Sequence, residues 1–185
     1  RRLSPSGWKT NLKLEGIRVL DLSRFLPGPW IGLAMADHGA EVIKIESHEG
    51  EPTRRLGPPI AGFAAYFRNT QRGKRSLTLN LKADKGREIF FQLAQEADVI
   101  IESFRPGVME RLGLGPEPAL ASNPRLIYGR MTGWGQTGPL AAAAGHDINY
   151  IALTGALAAI GRPGETATPP LNLVGDFGGG ALYLV

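Results

Sequence analysis

The sequence contains no cysteine, and it has only three histidines in 185 residues. The absence of cysteine excludes disulfide bonds, thiolate metal sites and a cysteine nucleophile, and it fits a reducing compartment. Three scattered histidines do not make a zinc site. We therefore predict no metal centre, and we expect the protein in the cytoplasm, or in the peroxisome or mitochondrion if its source is a eukaryote.

Long uninterrupted apolar runs are absent as well. The apolar stretch at residues 141–160 is interrupted by His146, Asp147 and Asn149, which argues against a membrane span. The opening segment Arg1–Gly7 lacks the apolar core of a secretory signal peptide. The mixed composition, with 43% hydrophobic and 21% charged residues, predicts a folded chain outside the membrane with one ordinary core.

The charge is mildly basic, with a formal net value of +4 that comes from dispersed arginines rather than from one block. No basic helix with base-reading side chains and no aromatic stacking motif is visible, so a nucleic-acid partner is not predicted. A small polyanionic ligand explains the basic excess equally well.

Two hydrophobic periodicities alternate along the chain. Short apolar runs typical of buried strands are separated by segments with helical spacing, and Pro27 and Gly39 mark the start and the end of a helix. The predicted strands are residues 16–22, 41–46, 76–81, 98–102 and 125–131. The predicted helices are residues 30–38, 84–97 and 152–160, with shorter pieces at 107–112 and 117–121, and residues 47–73 are predicted to be a loop. This alternation predicts an α/β fold with a parallel sheet and flanking helices.

The character of the sequence divides the chain into three parts. Residues 1–15 are predicted to be an N-terminal arm, residues 16–140 the α/β domain, and residues 141–185 the beginning of a further part of the fold. Gly178–Val185 has the composition of the first turns of an apolar helix, but no cap, glycine or proline ends it. We therefore expect the chain to be truncated, with the C-terminal part of the fold missing.

Two ionisable residues stand out because they lie in apolar, glycine-rich tracts. His146 follows Gly145, and Asp176 precedes the run Gly178–Gly180. Burying a lone carboxylate or imidazolium is costly unless it is paired or its pKa moves, so such residues are members of structural networks or catalytic acids and bases. Each of the two lies at the start of a predicted helix, where free N–H groups suit an anion or a developing oxyanion.

A structural interpretation competes at each of these positions. Aspartate is a favoured N-cap, so capping is the preferred interpretation for Asp147, while capping and catalysis are evenly balanced for Asp176. For His146 the structural alternative is a buried imidazole bonded to a carbonyl group. The glycines at 178–180 allow either close backbone approach by a ligand or tight helix packing.

Basic residues form the other candidate group. The densest cluster is residues 72–75 (Arg-Gly-Lys-Arg), and Arg105 and Arg111 follow the predicted strand that ends at Glu102. Open α/β sheets bind ligands at the carboxyl ends of their strands, which favours phosphate contacts for Arg105 and Arg111. A solvated cationic surface is the alternative. Residues 27–29 (Pro-Gly-Pro) are not a GxGxxG fingerprint, which argues against a nicotinamide cofactor.

Several short motifs occur in a characteristic order. They are residues 27–29 (Pro-Gly-Pro), 39–46 (Gly-Ala-Glu-Val-Ile-Lys-Ile-Glu), 73–77 (Gly-Lys-Arg-Ser-Leu), 98–107 (Asp-Val-Ile-Ile-Glu-Ser-Phe-Arg-Pro-Gly), 123–128 (Asn-Pro-Arg-Leu-Ile-Tyr), 145–150 (Gly-His-Asp-Ile-Asn-Tyr), 170–173 (Pro-Leu-Asn-Leu) and 175–180 (Gly-Asp-Phe-Gly-Gly-Gly). Any one motif is weak, but the series is specific. It resembles the family III CoA-transferases (the CaiB/BaiF superfamily), and within them the α-methylacyl-CoA racemases.

This resemblance implies a Rossmann-like CoA-binding domain at residues 16–140, with residues 141–185 as the catalytic segment. It also implies a second domain supplied by later sequence and an interlocked homodimer. The family aspartate that matches Asp176 is the covalent nucleophile of the transferases and an acid/base in the racemases. Racemases carry a histidine where this chain has His146, and transferases generally do not. The implied substrate is an acyl-CoA, with no cofactor beyond the CoA thioester itself.

The resemblance also assigns roles at the site. It places Arg72, Lys74 and Arg75 near the CoA phosphates, Ser103, Phe104, Arg105 and Arg111 at the adenosine end, and the backbone of Gly178 and Gly179 near the enolate oxygen. The favoured function is racemisation or epimerisation of 2-methylacyl-CoA thioesters in fatty-acid and lipid metabolism, by 1,1-proton transfer through an enolate, with His146 and Asp176 as the acid/base pair. The alternatives are CoA transfer with Asp176 as nucleophile, and a non-catalytic CoA-binding fragment. In racemases a glutamate from later sequence pairs with the histidine.

Overall fold

The computed structural model describes residues 12–182. The strands are β1 Arg18–Asp21, β2 Glu41–Glu46, β3 Pro59–Ile60, β4 Phe63–Ala64, β5 Arg75–Thr78, β6 Val99–Glu102 and β7 Ile127–Arg130. The α-helices are α1 Pro27–Asp37, α2 Ala65–Gln71, α3 Asp84–Glu96, α4 Val108–Arg111, α5 Pro116–Ser122, α6 Asp147–Leu153 and α7 Ala156–Ala159; Pro52–Arg55 is a 3-10 turn and Leu173–Leu182 a π-helix. Most of the predicted N-terminal arm and the last three residues of the predicted apolar helix lie outside the described residues.

One parallel sheet organises the fold, with the strand order β5-β2-β1-β6-β7. Val19 of β1 pairs with Val42 of β2 on one side and with Val99 of β6 on the other. The chain builds outward from β1 to β2 and β5, and then adds β6 and β7 beyond the opposite side of β1. This arrangement confirms the predicted α/β fold with a Rossmann-like parallel sheet. The winding direction reverses between β1 and β6, where such sheets form a ligand crevice at the carboxyl ends of their strands.

Helices cover both faces of the sheet, because side chains alternate along each strand. Leu20 and Ile100 lie in the apolar cluster that contains residues of α3, α4 and α5. Val19 and Ile101 lie in the opposite cluster, which contains residues of α1 and also the fully buried Ala181 of the π-helix. The π-helix therefore joins the apolar core on the α1 side of the sheet. Among residues 12–182, none of the helices has both the length and the apolar character needed to cross a membrane.

Two predicted segments differ from the structure. The helix predicted at residues 152–160 is instead the end of α6 followed by the separate helix α7, because Gly155 between them has a φ of 79° and interrupts the helix. The predicted loop at residues 47–73 contains a β3–β4 hairpin and the helix α2. Ala64 precedes α2 and makes no side-chain capping bond, so no N-cap residue marks this helix in the sequence.

A buried network of charges ties the turn after β1 to β2 and to the loop that follows β2. The carboxylate of Asp21 is fully buried and lies 2.7 Å from the Lys74 ammonium and 3.5 Å from the Lys44 ammonium. Lys44 lies 3.7 Å from Glu51, whose Oε1 accepts the N–H of Phe25 at 2.9 Å. This network holds the backbone between β1 and α1, at the carboxyl edge of the sheet.

Candidate functional site

The crevice of the sheet lies where β1 and β6 end. The N–H of Arg24, after β1, donates to Ser103 Oγ, after β6, at 2.8 Å. The N–H of Phe104 donates to Glu102 Oε2 at 2.7 Å. The first bond joins the two turns and the second holds the turn after β6, and the predicted adenosine-end residues Ser103 and Phe104 lie at this edge.

Two predicted phosphate contacts follow at the same edge. The exposed Arg105 donates to the carbonyl oxygen of Ala143, in the loop that leads to His146. Arg111 of α4 is also exposed, and its Nη1 lies over Gly107, 2.9 Å from where a Cβ would be. Within residues 12–182, Arg111 takes part in no ion pair. Its guanidinium therefore remains available for an anionic ligand.

The two arginines of the basic cluster at residues 72–75 have their contacts at the other end of the strands. Arg75 is the first residue of β5, and its guanidinium contacts Glu41, the first residue of β2. Arg72 forms an ion pair of 2.5 Å with Asp37. Arg75 itself pairs in register with Ile43, but its guanidinium reaches back to the start of β2, at the amino edge of the sheet and opposite the crevice. The structure therefore does not bring Arg72 and Arg75 together with the residues that follow β6.

The position of the Lys74 side chain differs most from the predicted phosphate contact. Its side chain is 1% exposed, and its ammonium donates to Asp21 Oδ2 and to the carbonyl oxygen of Pro29, each at 2.7 Å. These bonds hold the ammonium inside the protein, so the predicted phosphate contact is corrected to a structural role in the buried network. In the sequence Lys74 looks like the basic residues around it, and nothing local marks it as buried.

The start of α6 carries both His146 and Asp147. His146 is the N-cap residue, is exposed, and donates its backbone N–H to Asn149 Oδ1 at 3.0 Å. Asp147 is buried, and its Oδ2 accepts the N–H of Gly175 at 2.6 Å and the N–H of Asp176 at 2.8 Å. Asp147 therefore caps the π-helix and not its own helix, which corrects the capping prediction for this residue.

Asp176 lies in the first turn of the π-helix and is half-buried. Burial and the negative charge of Asp147 raise the pKa of Asp176, and they outweigh the lowering by a hydrogen bond with Asn172 and by the charge of His146. Asp147, the residue after His146, accepts the N–H of Asp176 at 2.8 Å, so the structure brings the backbone of these two predicted residues close together. A raised pKa suits a carboxyl group that accepts and returns a proton.

Two tyrosines that the sequence did not single out border this site. After burial, the charge of Asp176 is the main cause that raises the pKa of both Tyr66 of α2 and Tyr150 of α6. The Tyr150 ring packs edge-on against Trp134, with ring centroids 5.0 Å apart, and a Cβ at Gly145 would lie 2.6 Å from it. Tyr66 belongs to the segment predicted as a loop, so only recognition of α2 would have placed it near Asp176.

The predicted oxyanion glycines lie inside the π-helix. In this geometry each N–H points at the carbonyl group five residues earlier, so the N–H groups of Gly178 and Gly179 are directed at Leu173 and Val174. Both glycines are exposed. They give a ligand an approach without side chains, but their N–H groups already face acceptors. The oxyanion role of this backbone stays a prediction.

A family model described as CoA-transferase family III matches residues 14–185. The chain belongs to CoA-transferase family III. This family III chain is 49% identical to the alpha-methylacyl-CoA racemase of Mus musculus over 169 residues and 46% identical to that of Homo sapiens over 171 residues. These matches cover 91% and 92% of the chain, and 41% of each relative. The succinate–glutarate CoA-transferase of Agrobacterium fabrum is 43% identical over 158 residues, which cover 81% of the chain and 40% of the relative.

Solved structures agree with the family III assignment. A CAIB/BAIF family protein from Brucella suis superimposes with a TM-score of 0.86 at 42% identity, over 95% of this chain and 48% of that chain. Rv3272 from Mycobacterium tuberculosis superimposes with a TM-score of 0.80 at 39% identity, over 90% of this chain and 48% of that chain. Nearly all of this family III chain thus shares its fold with these proteins, and the chain spans less than half the length of its relatives.

Proposed function

We propose that this family III chain belongs to an enzyme that racemises or epimerises 2-methylacyl-CoA thioesters by 1,1-proton transfer. The observation that carries the proposal is the pairing of His146 with Asp176 at the starts of two helices joined by Asp147. Asp147 follows His146 in the chain and accepts the N–H of Asp176 at 2.8 Å. Similarity to the alpha-methylacyl-CoA racemases, at 49% and 46% identity, supports the same proposal.

The reaction needs one acid/base group on each face of the α-carbon. A thioester acidifies its α-hydrogen because the electron pair left by the broken C–H bond moves onto the carbonyl oxygen and forms an enolate. In one direction, neutral His146 takes the proton and protonated Asp176 delivers one to the opposite face, while the electron pair returns to carbon. In the other direction the Asp176 carboxylate is the base and the His146 imidazolium is the acid. The raised pKa of Asp176 supports this role, because the group must exist in both protonation states.

In this proposal CoA lies along the carboxyl edge of the sheet. Ser103 and Phe104 follow β6 there, and Arg105 and Arg111 lie beside them. A guanidinium without a carboxylate partner among the described residues, as in Arg111, suits a phosphate group. The guanidinium groups of Arg72 and Arg75 lie outside this path, and the Lys74 ammonium is buried against Asp21. For the whole protein the proposal includes the interlocked homodimer implied by the family resemblance, which light scattering of the purified protein would test.

The second candidate function is CoA transfer between an acyl-CoA and a carboxylate. Here the Asp176 carboxylate attacks the thioester carbonyl, the C–S bond breaks, and CoA leaves as the thiolate, which gives an acyl-aspartyl anhydride. The thiolate then attacks the aspartyl carbonyl and the donor carboxylate leaves. The acceptor carboxylate takes CoA from the aspartyl thioester by the same two steps in reverse. Similarity to transferases, such as the one from Agrobacterium fabrum at 43% identity, favours this function. A CoA-binding chain without turnover is the third interpretation, since the chain spans 41% of its racemase relatives.

The deciding experiment is α-proton exchange in D₂O with the protein expressed from its complete gene. One enantiomer of a 2-methylacyl-CoA is incubated with the protein, and deuterium content and chirality are followed together. We expect deuterium uptake with loss of optical purity. Absence of exchange, combined with transfer of CoA to an added carboxylate and an acyl-enzyme trapped by hydroxylamine, would overturn the racemase proposal in favour of CoA transfer.

Matched variants then separate the two bases. His146→Gln and Asp176→Asn each remove one acid/base group, and each is expected to abolish racemisation. Each variant should still exchange the α-proton of the enantiomer whose proton faces the surviving base. Asp84→Asn, at an exposed position at the start of α3, is the control and should behave as wild type. Exchange with both enantiomers in His146→Gln would remove His146 from the mechanism.

A further inference from the structure

The carboxylate of Asp147 is buried beside the candidate site, and the proposed proton transfers do not use it. The residue is 3% exposed and directly follows the N-cap residue His146. Its Oδ2 accepts two backbone N–H groups of the π-helix, from Gly175 at 2.6 Å and from Asp176 at 2.8 Å. N–H groups in the first turn of a helix have no acceptor within the helix. One carboxylate oxygen therefore links the helix that begins after His146 to the helix that carries Asp176.

Glycines make this close approach possible. A Cβ at Gly175 would lie 3.1 Å from the Cα, the Cγ and the carbonyl oxygen of Asp147, so a side chain there would push Asp147 away. The peptide unit that joins Gly175 to Asp176 also has a glycine on its carbonyl side, because a Cβ at Gly180 would lie 3.0 Å from the carbonyl oxygen of Gly175. The peptide between Gly175 and Asp176 is thus held by Asp147 through its N–H, and its carbonyl group has room because position 180 is glycine.

We propose that Asp147 is a positioning residue whose carboxylate, fitted against Gly175 and Gly180, fixes the separation between His146 and Asp176. The inference rests on the proposed function, because the separation matters to catalysis only if both residues act on one substrate. A misplacement of about 1 Å between reacting groups lowers a rate on the order of 100-fold. The link is short, since one side chain and one peptide unit connect the backbone of His146 to that of Asp176, so little can relax between them.

Two variants of Asp147 separate its hydrogen bonds from its charge. Asp147→Ala removes both, and we expect kcat to fall roughly 100-fold with an unchanged KM. Asp147→Asn keeps an oxygen that accepts both N–H groups, and its amide nitrogen takes the place of Oδ1, which has no partner in the described structure. We expect this variant to stay within about tenfold of wild type. Its pH–rate profile should shift the limb of Asp176 to lower pH, because a negative charge is lost while His146, Tyr150 and Tyr66, which also face Asp176, are unchanged.

Gly175→Ala tests the fit from the opposite side of the contact. Alanine favours a helix more than glycine does, so loss of helix is not the expected effect. The added methyl group displaces the Asp147 carboxylate, and we expect a loss of kcat similar to that of Asp147→Ala. Val174→Ala changes an exposed neighbour in the same helix and is the control, with an expected kcat equal to that of wild type.

Amide hydrogen exchange tests the link without relying on activity. In the protein expressed from its complete gene, NMR should show the amides of Gly175 and Asp176 protected in wild type and in Asp147→Asn, and unprotected in Asp147→Ala. Retained protection in Asp147→Ala would overturn the inference, and so would lost protection with wild-type kcat. If the wild-type protein neither racemises nor transfers acyl groups, the proposed function fails separately. The positioning role then fails with it, and amide protection reports only whether the structural link exists.

Discussion

Replacing Lys74 with methionine tests both the buried charge network and the corrected role of this residue. The Lys74 side chain is 1% exposed, and its ammonium lies 2.7 Å from the fully buried carboxylate of Asp21. Methionine keeps an unbranched chain and removes the charge and the donors. We expect Lys74→Met to lower the free energy of unfolding strongly, while the intrinsic affinity of the folded protein for a CoA thioester stays the same.

The magnitude follows from what Asp21 loses. Burial alone would raise the pKa of Asp21, but the charges of Lys44 and Lys74 outweigh it and lower the pKa. Removing one partner of a buried pair costs about 3–5 kcal/mol, because a buried charge is left uncompensated. Lys44 stays 3.5 Å from Asp21 and compensates part of that charge, so we expect the lower end of the range, about 3 kcal/mol. For a domain of this size, such a loss lowers the melting temperature by about 6–12 °C.

Urea unfolding followed by tryptophan fluorescence measures the loss in Lys74→Met, and titration calorimetry measures the affinity for a CoA thioester. The double variant Asp21→Asn/Lys74→Met is the matched control. It should lose less than the sum of the two single variants, because removing both charges leaves neither one buried alone. An unchanged unfolding free energy in Lys74→Met, or strictly additive losses, would refute the reasoning. A clear loss of CoA-thioester affinity at unchanged stability would return Lys74 to a phosphate site.

Three further predictions concern other parts of the chain. Arg111→Ala should weaken CoA-thioester binding by about tenfold or more at unchanged kcat, because a charge-assisted hydrogen bond to a phosphate is lost; equal Kd values in calorimetry would remove Arg111 from the site. Burial alone would raise the pKa of Glu46, but hydrogen bonds, led by the one from Arg54, lower it from 4.5 to about 2. The ionised Glu46 therefore stabilises the folded protein above its unfolded-state pKa, and this stability is lost as the pH falls towards 2. Glu46→Gln should therefore lack about 3 kcal/mol of this acid dependence in urea unfolding at several pH values, and an identical pH dependence would contradict the assignment. Gly28→Ala should cost about 1–3 kcal/mol, since its Cβ would lie 2.3 Å from that of Ser23, and an unchanged melting temperature would show that the turn adapts.

The sheet could be predicted from the sequence because its central strands are buried on both faces. Val19 and Leu20 belong to opposite apolar clusters, and so do Ile101 and Ile100. Each strand therefore appears as a continuous run of β-branched and aliphatic residues. In α3 the complementary helical period places Phe90 in the core while charged neighbours face solvent. These periods are local properties of the sequence, so the order of elements and the fold class follow from them.

The features that the sequence did not reveal depend on contacts between distant segments. The helix α2 has no capping side chain, and part of its support is tertiary, since the Arg54 guanidinium lies 4.1 Å from the centroid of the Phe67 ring. Because the sequence did not predict α2, it also gave no reason to place Tyr66 near Asp176. Lys74 meets Asp21 across 53 residues of chain, and its neighbours in the sequence are exposed arginines. Local composition therefore indicated a surface cluster where the fold forms a buried pair.

The neighbouring carboxylates of Asp147 and Asp176 have different environments at the candidate site. A capping carboxylate accepts backbone N–H bonds. Asp147 accepts two of them, whereas the pKa of Asp176 is raised, first by burial and then by the charge of Asp147. The folded state therefore binds the proton of Asp176 more tightly than the unfolded state does, and stability is lost as the pH rises through the folded-state pKa. Ionised Asp176 thus opposes folding near neutral pH. This is the reverse of what a capping residue does, and it suits the proton-transfer role that we propose for this half-buried group.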